Sequence, residues 1–214
     1  MGELLDLILP RACGGCGVSG TAWCARCAVA LSGPPIRLRP RADPGVPCWA
    51  LAPYRGAARR AVLAAKEERR ADLAHSLGVA LARGLDHLRD GARPLILVPA
   101  PTRRVAARRR GGDPVLRSAH VAASWLPDCR MVRALRMRPG VRDSVGLNRS
   151  DRQRNLRGRI IVAPGCAGSA RFPANAEVVL IDDVLTTGAT VCESTRALHE
   201  AGVTLRAALV TCHA

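Results

Sequence analysis

Aromatic side chains are nearly missing from this chain: three Trp, one Tyr and one Phe in 214 residues. A core built from it has to fill its volume with Ala, Leu and Val. A conventional platform of stacked aromatic rings for single-stranded nucleic acid is equally hard to build. Lysine is rarer still, since Lys66 is the only one among 33 basic residues. Long apolar runs are absent too, and no segment approaches the ~20 residues of a membrane span. The opening MGELLDLILP starts with an acid and carries too short an apolar run for a signal peptide. It reads as a short helix, with Leu4, Leu5, Ile8 and Leu9 on one side and Pro10 as its stop. These absences lead to the expectation of a cytoplasmic protein.

What the chain has in excess is positive charge, a formal +16. A preference for Arg, Ala, Gly and Pro suits a GC-rich coding sequence, which explains Arg over Lys but not the surplus of cations. Such a field favours polyanions: nucleic acid, phosphorylated metabolites or an anionic surface. A merely soluble basic surface is the plainer alternative.

Cysteine is also plentiful, and four of the nine form two Cys-x-x-Cys pairs, Cys13 with Cys16 and Cys24 with Cys27. Two intervening residues let a tight knuckle present both sulfurs to one tetrahedral ion, and Gly14, Gly15 and Gly17 permit the turn. Structural zinc is the leading expectation in a reducing compartment; a redox pair and inert buried thiols are the alternatives. The overlapping GCGVSG satisfies G-x-G-x-x-G but follows no strand, so it fails as a dinucleotide fingerprint. Residues 32–47 are rich in Pro, Gly and charge and read as a linker. The expected division is a zinc-binding cysteine module with its linker over 1–47, and a second domain over 48–214.

That second part alternates helices and strands. Residues 55–89 carry a helical repeat through Ala74, Leu77, Leu81, Leu85 and Leu88. Asp113 and Pro114 open another helix as cap and first-turn residue, and a third runs from about Thr190 to Ala201 before Gly202. Short apolar strands are expected at 95–98, 131–135, 159–162, 177–181 and 205–210. Helices between short apolar strands argue for an α/β fold, a parallel sheet covered on both faces.

In such sheets ligands bind beyond the carboxyl ends of the strands. The strand at 95–98 runs into PAPTRR, residues 99–104, and that at 177–181 into DDVLTTGAT, residues 182–190. Two ionised acids do not end a buried strand for stability's sake, because each must be solvated or paired. The segment TTGAT precedes a helix, so its amides and the hydroxyls of Thr186, Thr187 and Thr190 can enclose an anion, with Gly188 allowing close approach. Asp182 and Asp183 would then accept hydrogen bonds from hydroxyls nearby. A phosphate cradle beside acceptors for two hydroxyls describes a ribose 5-phosphate site, and Thr102, Arg103 and Arg104 could hold a second anion.

The 13 residues VVLIDDVLTTGAT resemble throughout the phosphoribosyl pyrophosphate (PRPP) signature of type I phosphoribosyltransferases. The resemblance implies that fold. It implies a PRPP site of Asp182, Asp183, Thr186, Thr187, Gly188, Ala189 and Thr190, the two acids being its catalytic pair. It also implies a pyrophosphate loop at Thr102, Arg103 and Arg104, with Mg²⁺ bridging the anions. The order of a cysteine knuckle, YRG, AAK, VPAPTRR, RQRN and the signature resembles the ComF family of competence proteins over nearly the whole chain. That brings forward Lys66, Arg110, Arg152 and Asn155 as further candidates. It also implies a part in DNA uptake, with single-stranded DNA and other competence proteins as partners. The family's Arg-Gly-Phe-Asn-Gln turn stands here as RGGDP, and Ser144 stands where a Gln is expected, so the resemblance leaves the acceptor side unassigned.

Residues 136–157 hold seven arginines between two strands. They read as a lid over PRPP, a track for a nucleic-acid backbone, or a solvated basic loop. Two functions compete: transfer of phosphoribose from PRPP to an acceptor, or handling of single-stranded DNA with a vestigial PRPP pocket. A nucleotide-salvage enzyme is a weaker third, because no base-binding hood segment stands out.

Overall fold

Two apolar runs, LILVP and EVVLI, lie side by side inside a six-stranded sheet, and neither alternates because both of its faces are covered. The computed structural model describes residues 12–102, 104–109, 111–138, 156–168 and 170–214. In chain order the strands are β1 (Ile36–Leu38), β2 (Cys48–Pro53), β3 (Leu95–Pro99), β4 (Cys129–Met131), β5 (Leu135–Met137), β6 (Ile160–Val162), β7 (Glu177–Leu185) and β8 (Ala207–His213). The α-helices are α1 (Ala25–Ala28), α2 (Gly56–Glu67), α3 (Leu73–Leu88), α4 (Arg104–Arg109), α5 (Pro114–Trp125) and α6 (Ala189–Glu200). The large sheet has the order β1-β2-β8-β7-β3-β4. All its pairings are parallel except β1 with β2. The expected mostly parallel α/β sheet flanked by helices is therefore present.

Alternate residues of the central strands serve different cores. Leu95, Leu97, Val179 and Ile181 join Leu73, Leu77, Leu81 and Leu85 of α3 and Val115 and Ala119 of α5. Ile96, Val98, Val178 and Leu180 join Val191 and Leu198 of α6. Full burial of each such side chain contributes roughly 1.5–3 kcal/mol. Where aromatics would fill space, α3 approaches α5 and the sheet closely instead. A Cβ on Gly78 would lie 2.5 Å from Val121, and one on Gly84 would lie 2.4 Å from Leu51.

Several local expectations are corrected. The pattern over 55–89 splits into α2 and α3, with Arg69 between them in the left-handed region at φ 56°. The expected strand 131–135 is two strands, β4 ending at Met131 in the large sheet and β5 starting at Leu135 in a two-stranded sheet with β6. Within the stretch expected as a linker, Ile36–Leu38 forms β1 on the edge of the sheet. Its flanking prolines suit an edge, where a missing N–H costs no ladder bond. Beyond β1, Ala42 donates its amide to the Thr187 carbonyl at 3.3 Å. The N-terminal helix expected over residues 1–10 lies outside the described residues.

One defect stands out in α6. The Ser194 hydroxyl is fully buried and has no hydrogen-bond partner among the described residues. A buried, unsatisfied hydroxyl costs about 1–3 kcal/mol, and Ala is also the better helix former. Ser194→Ala should therefore stabilise the protein. About 1 kcal/mol raises Tm by ~2–4 °C at this chain length, which a thermal melt will read; an unchanged or lower Tm contradicts the assignment.

Candidate functional site

Strands β2, β8, β7, β3 and β4 all point the same way, so their carboxyl ends share one edge. Pro99 of β3 pairs with Ile181 of β7, and the Ala100 amide donates to the Ile181 carbonyl at 2.8 Å. The two stretches singled out in the sequence thus leave adjacent strands. Thr102 is half-buried just before α4. Arg104 begins α4, while Arg103 and Arg110 lie outside the described residues, as do Arg152 and Asn155.

The acids sit differently from expectation. Asp182 and Asp183 are within β7 rather than after it, because β8 keeps pairing alongside: Asp182 with Val210, Val184 with Cys212 and Leu185 with His213. The apolar run stops at Ile181, but backbone pairing does not. After Leu185 come Thr186, exposed, Thr187, half-buried, and the buried Gly188 and Ala189. Gly188 caps α6 in the left-handed region, at φ 89°. A Cβ there would also lie 3.0 Å from the Ala42 carbonyl and 3.1 Å from Pro40, so only glycine fits without displacing that segment. Thr187 Oγ1 accepts from the Ala189 amide at 3.3 Å. Thr190 follows half-buried in the first turn of α6.

Lys66, near the end of α2, places its Nζ 2.7 Å from Asp183 Oδ2. The pair is only partly exposed, at 29% and 16% for the two side chains. Asp182 accepts the Asp183 amide at Oδ1, 2.8 Å away. Burial, and then the neighbouring Asp183 charge, push the Asp182 carboxyl up to about 7, against the opposing pull of Lys66 and of the Asp183 amide. Asp113, the cap of α5, adds to the upward push. A small, mostly apolar cavity walled by Val62, Ala65, Pro114 and Ile181 abuts the acids and accounts for the poor solvation. The edge therefore carries one ion-paired carboxylate and one that holds its proton toward neutrality.

The sequence reading found the acids, the turn and Lys66. It missed the approach of Asp113, which it had read only as a helix cap. It also missed the packing of Pro40 and Ala42 on the turn, which no local pattern could reveal.

The four cysteines expected to act together do so. The sulfurs of Cys13, Cys16, Cys24 and Cys27 all lie within 4.8 Å of one another, and those of Cys16 and Cys24 are 3.6 Å apart. A tetrahedral ion with metal–sulfur bonds of ~2.3 Å needs sulfurs about 3.8 Å apart, so the set is compatible with one metal ion such as zinc. Burial pushes the Cys13 thiol up, but amides of Cys24, Cys16 and Gly15 outweigh it and bring it down to about 6. The Val18 amide and the Arg26 guanidinium lower Cys16 as well. Burial and the surrounding sulfurs push Cys27 up to about 12. A cation among the four would reverse that last effect, since it favours thiolates. Cys48, Cys129, Cys166, Cys192 and Cys212 take no part in the cluster.

Among the described residues no helix is long and apolar enough to cross a membrane. No family model matches the chain, and no curated protein does.

The raised Asp182 carboxyl has a consequence for stability. An unfolded Asp releases its proton near pH 3.9, whereas the folded chain holds it to about pH 7. Between those values the folded state binds more protons, so stability falls as pH rises. Asp182→Asn removes that slope. The variant should match the parent at pH 4 and exceed it at pH 8, by at least the ~2–4 °C that 1 kcal/mol produces. Melts across that range giving parallel curves for the two proteins would rule the effect out. For the cysteine cluster, elemental analysis of protein purified without chelator should give about one metal ion per chain, and Cys24→Ser should lose it.

Proposed function

We propose that the carboxyl edge of the sheet is a PRPP site in a type I phosphoribosyltransferase-like domain, and that the protein acts in DNA uptake in the manner of the ComF family. The observation that carries this reading is the pairing of Pro99 with Ile181, so that the 99–104 and 182–190 stretches start from adjacent strands. The resemblance assigns pyrophosphate to the first and ribose 5-phosphate to the second, and a single ligand spanning both needs adjacent strands. The Thr186–Thr190 amides and hydroxyls would take the 5′-phosphate at the start of α6. Asp182 and Asp183 would accept from the ribose hydroxyls, with Lys66 holding Asp183 in place at 2.7 Å. Thr102, Arg103 and Arg104 would face the pyrophosphate, where bound Mg²⁺ would supply further neutralisation of its charge. In a transfer reaction these residues contribute positioning and electrostatic stabilisation of a ribosyl centre that gains positive charge as pyrophosphate leaves. The cysteine cluster is read as a structural zinc site.

A second reading, single-stranded DNA binding, draws on the +16 charge. Arg55, Arg59, Arg69, Arg108 and Arg109 are exposed, and phosphate contacts rather than ring stacking would carry the affinity.

Calorimetry separates pocket from surface. Charge-assisted hydrogen bonds contribute about 1.5–3 kcal/mol each, so Asp182→Asn with Asp183→Asn should weaken Mg-PRPP binding by about two to four orders of magnitude. The same change removes only negative charge from the edge, so DNA binding should hold or tighten slightly. That binding should weaken with salt at roughly −0.7 per phosphate contact on a log–log plot. Undiminished PRPP affinity in the double variant would overturn the assignment of the acids, and salt-independent or absent DNA binding would remove the second reading.

A further inference from the structure

Helix α2 has two differently employed faces. Val62, Ala65 and Lys66 look onto the acids and their cavity. Arg60, Leu63 and Ala64 line a groove against Cys13, Gly14 and Gly15 of the knuckle. At 3.6 residues per turn these sets lie on opposite sides of the helix.

The knuckle is tied to this corner at three points. Arg60 Nε donates to the Gly15 carbonyl. Arg70, in the α2–α3 connection, donates from Nη2 to the Ala12 carbonyl at 2.7 Å and also grips Asp72 at 2.7 Å. Gly14 lies so close to Leu73, the fully buried first residue of α3, that a Cβ would come within 2.6 Å of Leu73 Cδ1. All three contacts come from the backbone of residues 12–15, the same turn that presents Cys13 and Cys16.

We propose that the metal knuckle is a positioning element of the acid site: by fixing the outer face of α2 and the α2–α3 corner, it holds Lys66 against Asp183. The cysteine cluster is then no remote staple, and Arg60 is a positioning residue acting through α2. This rests on the cluster holding a metal ion but not on PRPP being the ligand. Without an ion, the knuckle is held only by a few backbone hydrogen bonds, such as Cys13 to Val18 and Gly14 to Ala22, and its four sulfurs lose their common centre. The carbonyls of Ala12 and Gly15 and the seat of Gly14 on Leu73 go with it. Lys66 then loses its fixed distance to Asp183, although α2 stays attached to the sheet through Ala58, Ala61 and Val62.

The single lysine makes this measurable. Brief reductive methylation of the full chain, read by peptide mass mapping, reports on the Lys66 amine alone once the N-terminal amine is assigned separately. Zinc-loaded protein should react slowly. Chelator-stripped protein should react about fivefold faster, the ratio set by loss of an ion pair of ~1 kcal/mol, and should approach the rate of Asp183→Asn. Hydrogen exchange over residues 56–67 should rise in parallel while β7 and β8 keep their protection. Should stripping unfold the chain throughout, Arg60→Ala with the metal retained carries the test: Lys66 should still react faster, and Arg60→Lys should restore most of the slow rate. An Arg60→Ala protein with parental Lys66 reactivity and parental exchange in α2 overturns the proposal, as does a chain that binds no zinc. The ligand reading fails separately. Coupling with no heat from Mg-PRPP rejects PRPP alone, and PRPP binding with an unresponsive Lys66 rejects the coupling alone.

Discussion

Two carboxylates on consecutive residues of a strand buried on both faces impose the constraint around which the rest of this structure is arranged. Two ionised acids at such spacing repel each other and are poorly hydrated, so the fold must neutralise at least one. It does so in two ways. Asp183 receives the only lysine of the chain at 2.7 Å, and Asp182 keeps its proton toward neutral pH under burial and its neighbour's charge. The first solution requires a helix that brings Lys66 back to β7 after leaving β2. The helix needs a fixed corner, and the cysteine knuckle abuts that corner through backbone contacts. A demand set by two residues thereby reaches a cluster more than 150 positions earlier in the chain.

How much of this could be read from sequence depends on how local the physics is. The central strands were legible because residues covered on both faces leave a continuous apolar run, as in 95–98 and 177–181. The start of α5 was legible because Asp113 caps it within three residues, accepting from the Val115 and Leu116 amides. The cysteine cluster was legible because its spacing is local geometry. The end of β7 was not, since Asp182–Leu185 remain a strand only through pairing with β8, a partner 28 residues away. Strand β2 was missed because CWALAP is short, follows a Pro-rich stretch and becomes a strand by pairing with the end of the chain. Strand β1, the split of 131–135 and the seat of Pro40 and Ala42 on Gly188 belong with these. Each is a long-range pairing that leaves no periodic trace.

The scarcity of aromatics shapes the site as well as the core. Leu, Val and Ala leave α3 close to α5 and to the sheet, as the missing side chains of Gly78 and Gly84 show, and the space between α2, α5 and β7 shrinks to a small apolar cavity. Such a wall can take a cation only in compact form. An ammonium is a point charge that can be satisfied by one carboxylate oxygen and a few further acceptors. A guanidinium brings five N–H donors in a rigid plane. Against Val62, Ala65 and Ile181 several of these would meet no acceptor, each at a cost of about 1–3 kcal/mol where buried. The one lysine among 33 basic residues therefore stands where the surrounding wall discriminates against arginine.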